Sequence, residues 1–419
     1  MTRDLLTGNA AAAWGARLAD VDYVPAYPIT PQTEIIESLA QWISHGDLGA
    51  RLVTMDSEHA MLTAAGAAAA TGARVFTASS SQGLLYGFEM LYTIAGWRVP
   101  LVLVNVSRAL AAPITLEPDH NDVLAARDCG FLQIHAETCQ EVLDSVLIAY
   151  RIAEHADVLL PVIVNLDGFS LSFTREPVEV PDAQAVRAFL PAYVPTHARF
   201  SAAHAMAQGV AVLGGSAYTF FKYQMQRAAE AALEVHDAVA AEFCNRFGRC
   251  YGAVDSYRLD DAEWVIVMSN SFSTTGKAEV ARLRARGEKV GLLRLRLIRP
   301  FPAQEIQWLL DGRRAVAVID QNISIGKGGI LFAEVASALR SASAPPLLSF
   351  IGGLGGRPFR SHEFDDIVAA LHAAQHTGGS SEPRLLFTAD EYEQVRNMLR
   401  IAHGERAGGP TFAGNGVQD

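Results

Sequence analysis

A chain of 419 residues, 50% hydrophobic and 19% charged, is too long for one compact core and is read as two domains followed by a tail. Its formal net charge of −11 argues against a nucleic-acid partner. No apolar run approaches the roughly 20 residues needed to cross a bilayer, and the amino terminus lacks a basic-then-apolar leader, so a cytoplasmic location is expected.

In chain order, apolar runs of strand length at residues 21–26, 51–55, 73–78, 100–106 and 159–166 alternate with longer helix-compatible stretches. That βαβα rhythm predicts an α/β fold whose parallel sheet is covered on both faces. The helices at 60–71 and 141–155 are Ala-rich, which suits close packing on buried strands. This first unit is assigned to residues 1–180. Residues 181–249 carry Pro181, Pro191 and Pro195 and then a helical pattern over 222–247, and are predicted to be a linker or arm and one long amphipathic helix. A second, smaller α/β unit is predicted over 250–375, with strands at 264–268, 290–295, 315–319 and 346–351 and helices centred near Glu279, Ile306, Glu334 and Ile367. The arginines of 282–299 read as a solvated face. Residues 376–419 thin to Gly, Ser and polar residues, a partly disordered tail with a short helix over 391–400 and a disordered end after His403.

The four cysteines, Cys129, Cys139, Cys244 and Cys250, have no C-x-x-C spacing, so no iron-sulfur cluster or structural zinc is predicted and all four are expected to be core thiols. No metal site is predicted elsewhere. His120 lies among carboxylates in Glu117-Pro118-Asp119-His120-Asn121-Asp122, but without helical or strand spacing.

Four loops fall where a parallel sheet presents the carboxyl ends of its strands: Tyr27-Pro28-Ile29-Thr30-Pro31, Asp56-Ser57-Glu58-His59, Ser79-Ser80-Ser81-Gln82-Gly83 and Ser107-Arg108. Open α/β sheets bind ligands at that edge, so the four describe a pocket for a polar-headed cofactor and an anionic substrate. Each residue also has a plainer reading. Glu58 suits the first turn of a helix, Thr30 suits a helix N-cap before a helix near Gln32, and Arg108 suits a surface loop. The serines lead into a helix predicted to start near Gln82. Gly326-Lys327-Gly328-Gly329 either cradles an anion or makes a tight strand-to-helix turn, the turn being favoured. Asp167-Gly168 reads as a strand-end turn. His59 reads as a hydrogen-bonding neighbour, or as a group whose ordinary pKa near neutrality suits proton transfer.

The run Tyr27-Pro28-Ile29-Thr30-Pro31-Gln32-Thr33-Glu34-Ile35, then Asp56-Ser57-Glu58-His59, Ser80-Ser81-Gln82-Gly83-Leu84, Ser107-Arg108-Ala109-Leu110-Ala111-Ala112-Pro113-Ile114 and Leu166-Asp167-Gly168-Phe169, resembles the alpha subunit of the 2-oxoacid:acceptor oxidoreductases, the pyruvate:ferredoxin oxidoreductase family. In the second unit, Leu297-Ile298-Arg299-Pro300-Phe301-Pro302 and Gly352-Gly353-Leu354-Gly355-Gly356-Arg357 resemble that family's transketolase-carboxyl-terminal-like domain.

The resemblance implies two doubly wound parallel-sheet domains, a thiamine diphosphate pyrimidine-binding type followed by the transketolase-like one. It implies CoA-dependent oxidative decarboxylation of a 2-oxo acid. Glu58, with Pro28 beside it, is assigned to the aminopyrimidine of thiamine diphosphate, whose far ring nitrogen needs a buried carboxyl to share its proton. Thr30 and Arg108 are assigned to the substrate, the guanidinium gripping its carboxylate. The diphosphate and its Mg²⁺ are expected on a beta subunit, because the Gly-Asp-Gly signature followed by Asn is missing here. Iron-sulfur clusters are expected in partner subunits, including gamma-type subunits, with ferredoxin, or NAD through a flavin subunit, as acceptor. Pyruvate-specific relatives follow the Ala-Pro-Ile step with Asn and a bulky aromatic, whereas this chain has Thr115-Leu116-Glu117-Pro118, so a larger acid such as phenylglyoxylate is a candidate. A non-catalytic scaffold subunit and a free-standing 2-oxo-acid-binding protein are the alternatives.

Overall fold

A computed structural model describes the chain except for residues 1, 197–198, 204, 208, 210, 213, 341–342 and 403–419. In chain order the elements are β1 (Thr2–Thr7), α1 (Gly8–Leu18), β2 (Tyr23–Ala26), α2 (Thr33–Ser44), β3 (Arg51–Thr54), α3 (Glu58–Ala70), β4 (Phe76–Ser79), α4 (Ser81–Tyr86), α5 (Phe88–Trp97) and β5 (Val102–Ser107). Then come α6 (Asn121–Ala125), β6 (Leu132–His135), α7 (Cys139–Ala153), β7 (Val162–Asp167), β8 (Arg175–Val180), α8 (Ala183–Phe189) and the long α9 (Ser216–Phe247). The second half contains β9 (Val254–Tyr257), β10 (Trp264–Ser269), α10 (Ser273–Ala285), β11 (Val290–Leu295), β12 (Leu297–Arg299), α11 (Ala303–Leu310) and β13 (Ala315–Asp320). It closes with α12 (Ile330–Ala338), β14 (Leu347–Ile351), α13 (Ser361–Thr377), β15 (Ser380–Leu385) and α14 (Ala389–Ala402).

Two doubly wound sheets result. The first runs β12-β6-β7-β5-β4, and a parallel bridge from Tyr23 to Val75 sets the β2-β3 pair beside β4. All of these pairings are parallel except that of β12 with β6. The chain steps outward from β2 to β3, then reverses through β4, β5 and β7, so the crevice between β2 and β4 is the topological switch point. The second sheet runs β15-β14-β13-β10-β11-β9, parallel except for β9. Its central strands are buried from end to end, as both-face coverage by helices requires.

Small residues set how closely the helices approach. A methyl group at Gly66 on α3 would lie 2.6 Å from Ile94 on α5, and one at Gly15 on α1 would lie 2.7 Å from Val146 on α7. The fully buried Val, Ile and Leu side chains between helix and sheet each stabilise the fold by roughly 1.5–3 kcal/mol.

The structure departs from expectation in five places. Residues 183–189 form a helix rather than a free arm, with Phe189 buried edge-on against Phe243 and Phe247 of α9. Residues 380–385 form strand β15, paired parallel to β14, where a tail was expected. Arg294 and Arg296 are buried, not solvated, because Glu141 at the start of α7 binds both, at 3.1 and 2.6 Å, and holds Arg294's charge while its own carboxyl is kept below its ordinary range. Cys244 and Cys250 are joined in a disulfide that ties the end of α9 to the approach to β9, while Cys129 and Cys139 are buried free thiols. Thr30 is no N-cap, since α2 starts at Thr33 with Gln32 in the cap position. The end after His403 lies outside the described residues.

Candidate cofactor and substrate site

The turn after β2 is held from three directions. Asn9 donates its side-chain amide to the Pro31 carbonyl at 2.8 Å, Gln32 donates to the Tyr27 carbonyl at 3.0 Å, and Arg108 donates Nη1–H to the Thr30 carbonyl at 2.7 Å. The Thr30-Pro31 peptide is cis. This leaves the Pro28 and Thr30 side chains exposed at the edge of the crevice. Arg108, directly after β5, is 8% exposed, and burial lowers its pKa against the opposing pull of Asp122. Thr30 and Arg108 therefore share one site, joined through the threonine's backbone rather than its hydroxyl.

Glu58 opens α3 behind the N-cap Ser57, whose hydroxyl accepts from the Ala60 amide. It is 6% exposed, and its carboxylate accepts no hydrogen bond from any described residue. It packs on the turn after β4: a methyl group at Gly83 would lie 2.5 Å from Glu58 Oε1 and 2.9 Å from Ser79 Oγ. Glycine at 83 is what lets the carboxylate and that turn meet. Between Glu58 and Arg108 the turn carries Ser79 and Ser80, whose buried hydroxyls lack partners, and Gln82, whose Oε1 accepts from Arg108 Nη2 at 3.1 Å.

Sequence reasoning did not pick out the residue that holds this turn. Asp122, fully buried on α6, accepts from the Ser81 amide at 3.0 Å, Asn105 Nδ2 at 3.1 Å, Ser107 Oγ at 2.8 Å and the Val123 amide at 2.7 Å. Burial raises its pKa while those four donors oppose the shift. The loop from Ala109 to Pro118 closes over the same strand ends. Ala109 N–H donates to the Glu117 carbonyl at 3.2 Å, and a methyl group at Gly168 would lie 3.1 Å from Pro31 and 3.3 Å from the Leu116 carbonyl. The Leu116 side chain stays 40% exposed and Ile114 60%.

The carboxyl ends of the two sheets meet behind this crevice. His120 Nε2 lies 2.7 Å from Asp167 Oδ1, and the other Asp167 oxygen accepts from both the amide and the hydroxyl of Ser271. Burial pulls His120's pKa down, but Asp167 outweighs it and the net shift is upward; Asp167's own net shift is downward. His135 bonds Asn270 at 2.6 Å and is held down to about 3 by burial and then by His120. Asp167-Gly168 is thus a strand end used for packing. His59 is half-exposed at 3.7 Å from Glu89, on the outer face of the helices. The glycines at 326–329 form a turn: the start of α12 is already filled by Asp320, which accepts from the Leu331 and Phe332 amides, and by Asn322, which accepts from Ile330. Among the described residues no three His, Cys, Asp or Glu are placed to hold a metal ion, and no helix is long and apolar enough to cross a membrane.

Residues 14–241 match the family model described as pyruvate flavodoxin/ferredoxin oxidoreductase, thiamine diphosphate-binding, and residues 262–364 match pyruvate:ferredoxin oxidoreductase core domain II. The chain belongs to this family. Within it, the chain is 43% identical over 374 residues to pyruvate synthase subunit PorA of Methanocaldococcus jannaschii, covering 88% of this chain and 95% of that one. It is 39% identical over 378 residues to ketoisovalerate oxidoreductase subunit VorA of Pyrococcus horikoshii, covering 90% and 95%. The fold is also that of the 2-oxoglutarate:ferredoxin oxidoreductase from Magnetococcus marinus, with a TM-score of 0.67 at 19% identity over 88% of this chain and 65% of that one. A split-gene transketolase gives 0.51 at 13% identity, over 87% and 96%. As an alpha-type member of the 2-oxoacid:acceptor oxidoreductases, the chain is an enzyme subunit of the class its motifs imply.

Proposed function

We propose that this chain is the alpha subunit of a thiamine-diphosphate-dependent 2-oxoacid:ferredoxin oxidoreductase that converts a 2-oxo acid and coenzyme A to the acyl-CoA, carbon dioxide, a proton and two electrons. The observation that carries the reading is Glu58, a nearly buried carboxylate left without a hydrogen bond at the switch point of the first sheet. Unfilled polar atoms lie along the adjoining turn and at the end of β5: the Ser79 and Ser80 hydroxyls, Gln82 Nε2 and Arg108 Nε. The Glu58 oxygens are not sealed in the core, so the carboxylate is open to a ligand.

These residues fit the pyrimidine half of the cofactor. Glu58 would hold it, sharing a proton with the ring nitrogen, and Pro28 would lie at the rim of the same crevice. When bound, thiamine diphosphate supplies the carbon nucleophile and the electron sink for decarboxylation. Arg108 grips the substrate carboxylate, and the exposed Thr30 hydroxyl is free to meet the same carboxylate or the adjacent carbonyl. Arg108 is itself oriented by the Thr30 carbonyl and Gln82, so it is set before substrate arrives. The diphosphate and Mg²⁺ fall to a beta subunit, because the one Asp-Gly turn at a strand end has both carboxylate oxygens committed to His120 and Ser271. The electrons pass to iron-sulfur clusters on partner subunits, gamma-type subunits among them, and from there to ferredoxin, or to NAD through a flavin subunit.

Thr115 and Leu116, on the loop that closes over Pro31 and Gly168, stand where relatives specific for pyruvate place Asn and an aromatic, and Leu116 is exposed. A larger acid, phenylglyoxylate among them, fits that difference. Oxidation of pyruvate, a branched 2-oxo acid and phenylglyoxylate by the assembled complex tests this, and a clear preference for pyruvate rejects it. The broader reading is tested by Glu58→Gln, which is expected to leave assembly intact and lower turnover by roughly 10²–10⁴-fold. Near-normal turnover in that variant would return the chain to a scaffold role, and a stable monomer that binds 2-oxo acids without partners would make it a free-standing binding protein.

A further inference from the structure

We propose that Gln82 is a second substrate-contacting side chain, its amide Nε2 donating to the carboxylate of the 2-oxo acid alongside Arg108; the proposal rests on the reading of Arg108 as that carboxylate's anchor. A guanidinium can only donate hydrogen bonds, so the Gln82 atom facing Arg108 Nη2 at 3.1 Å must be the amide oxygen. The Ser81 hydroxyl lies 2.6 Å from the same oxygen. With its oxygen fixed on that side, the amide nitrogen is turned away from Arg108 Nη2, and it is buried without a partner. Arg108 Nε is likewise buried and unpartnered. Two orphan donors on side chains that share a hydrogen bond call for an acceptor-only ligand group of small size, and a carboxylate with two oxygens is one. An aminopyrimidine, which presents donors as well as acceptors, matches this pair less well and has Glu58 as its partner.

The amide is held in that orientation. Ser81 sits at a φ of 49°, a left-handed conformation a non-glycine residue keeps only when its surroundings impose it. The constraint is visible: the Ser81 amide is bound to Asp122 Oδ2 at 3.0 Å, and the Ser81 hydroxyl lies 2.9 Å from the Ala109 carbonyl. Asp122 is therefore a positioning residue for Gln82, tying the turn after β4 to β5, which carries Arg108 at its end.

The test uses the complete complex with its partner subunits. Gln82→Met keeps length but loses both the donor and the oxygen that orients Arg108, and is expected to raise KM for the 2-oxo acid by at least roughly 10- to 100-fold, the range for one hydrogen bond to a charged group, with kcat and the KM for coenzyme A within a few-fold; Gln82→Glu, which keeps that oxygen and replaces only the donor, separates the two losses. Oxamate, an unreactive carboxylate of pyruvate's shape, should lose affinity in parallel. Gln82→Glu should be worse and should recover partly as pH falls and the new carboxyl takes a proton. Gln82→Asn, with its amide one methylene short, should lie between wild type and Met, and serves as the test should the Met variant not assemble. Unchanged KM and oxamate affinity in the Gln82 variants, with Arg108→Ala still raising KM, would overturn the role of Gln82 alone. Unchanged values in Arg108→Ala as well would overturn the reading on which it rests.

Discussion

Two polar regions lie at the carboxyl ends of the strands, and they contrast in how their hydrogen-bonding capacity is used. Around His120, Asp167 and Ser271, and again around Glu141, Arg294 and Arg296, the buried charged groups are paired within the chain. Around Glu58 and Arg108, two serine hydroxyls, an amide nitrogen and a guanidinium nitrogen are buried and open, beside a carboxylate that accepts no hydrogen bond from the described residues. Residue type does not separate the regions, since both hold acids and bases at strand ends. Charge pairing does: single unfilled polar atoms such as His120 Nδ1, His135 Nε2 and Asn270 Nδ2 occur in the first region as well, but in the second the Glu58 carboxylate has neither a cation nor a donor among the described residues, which makes it the candidate place for a ligand.

The comparison can be broken by disturbing each region and reading a different quantity. The largest effect is expected at the paired region. Glu141→Gln leaves Arg294 and Arg296 short of their shared counter-charge and is expected to lower stability by ~3–5 kcal/mol, measured by denaturant unfolding, with little change in kcat for the folded complex. At the open region, Gly83→Ala places a methyl group against Glu58 Oε1 and Ser79 Oγ. Turnover is expected to fall by about 10²-fold while the unfolding midpoint hardly moves, because the carboxylate is shifted rather than a core group lost. A stability loss there without a rate loss would erase the distinction.

The smallest effect is a slope. His135 is held down to about 3, so between its ordinary value of 6.5 and that point the unfolded chain binds a proton that the folded chain does not. Folding stability should therefore fall by about 1.4 kcal/mol per pH unit on acidification through this window from His135 alone. His135→Asn removes that contribution, and the difference between the two unfolding curves at several pH values measures it.

The central strands of both sheets were legible because both their faces are covered and their sequences are nearly continuous Val, Ile and Leu. The edge strands were not. β8 reads Arg-Glu-Pro-Val-Glu-Val and β15 reads Ser-Ser-Glu-Pro-Arg-Leu, each with the charges and proline that blunt an edge, so the first drew no strand assignment within its unit and the second resembled a tail. At the candidate site, Thr30, Glu58 and Arg108 were singled out through short ordered motifs, and the structure brings Thr30 and Arg108 into contact and sets Glu58 against the neighbouring turn. Asp122 was seen only as part of an acidic, histidine-bearing loop. Its role depends on donors from Ser81, Asn105 and Ser107, and sequence spacing carries no sign of that convergence. Arg294 and Arg296 were misread for the same reason, since their partner Glu141 lies more than 150 positions away.

Strand β12 comes from the second half of the chain yet completes the first sheet, lying antiparallel against β6. A fragment stopped near residue 250 would expose the backbone of β6 as an open edge, free to recruit a strand from another copy. Limited proteolysis or gene dissection at that point should therefore release material that clumps, and any natural division of this polypeptide into separate genes would have to leave those three residues with the amino-terminal piece.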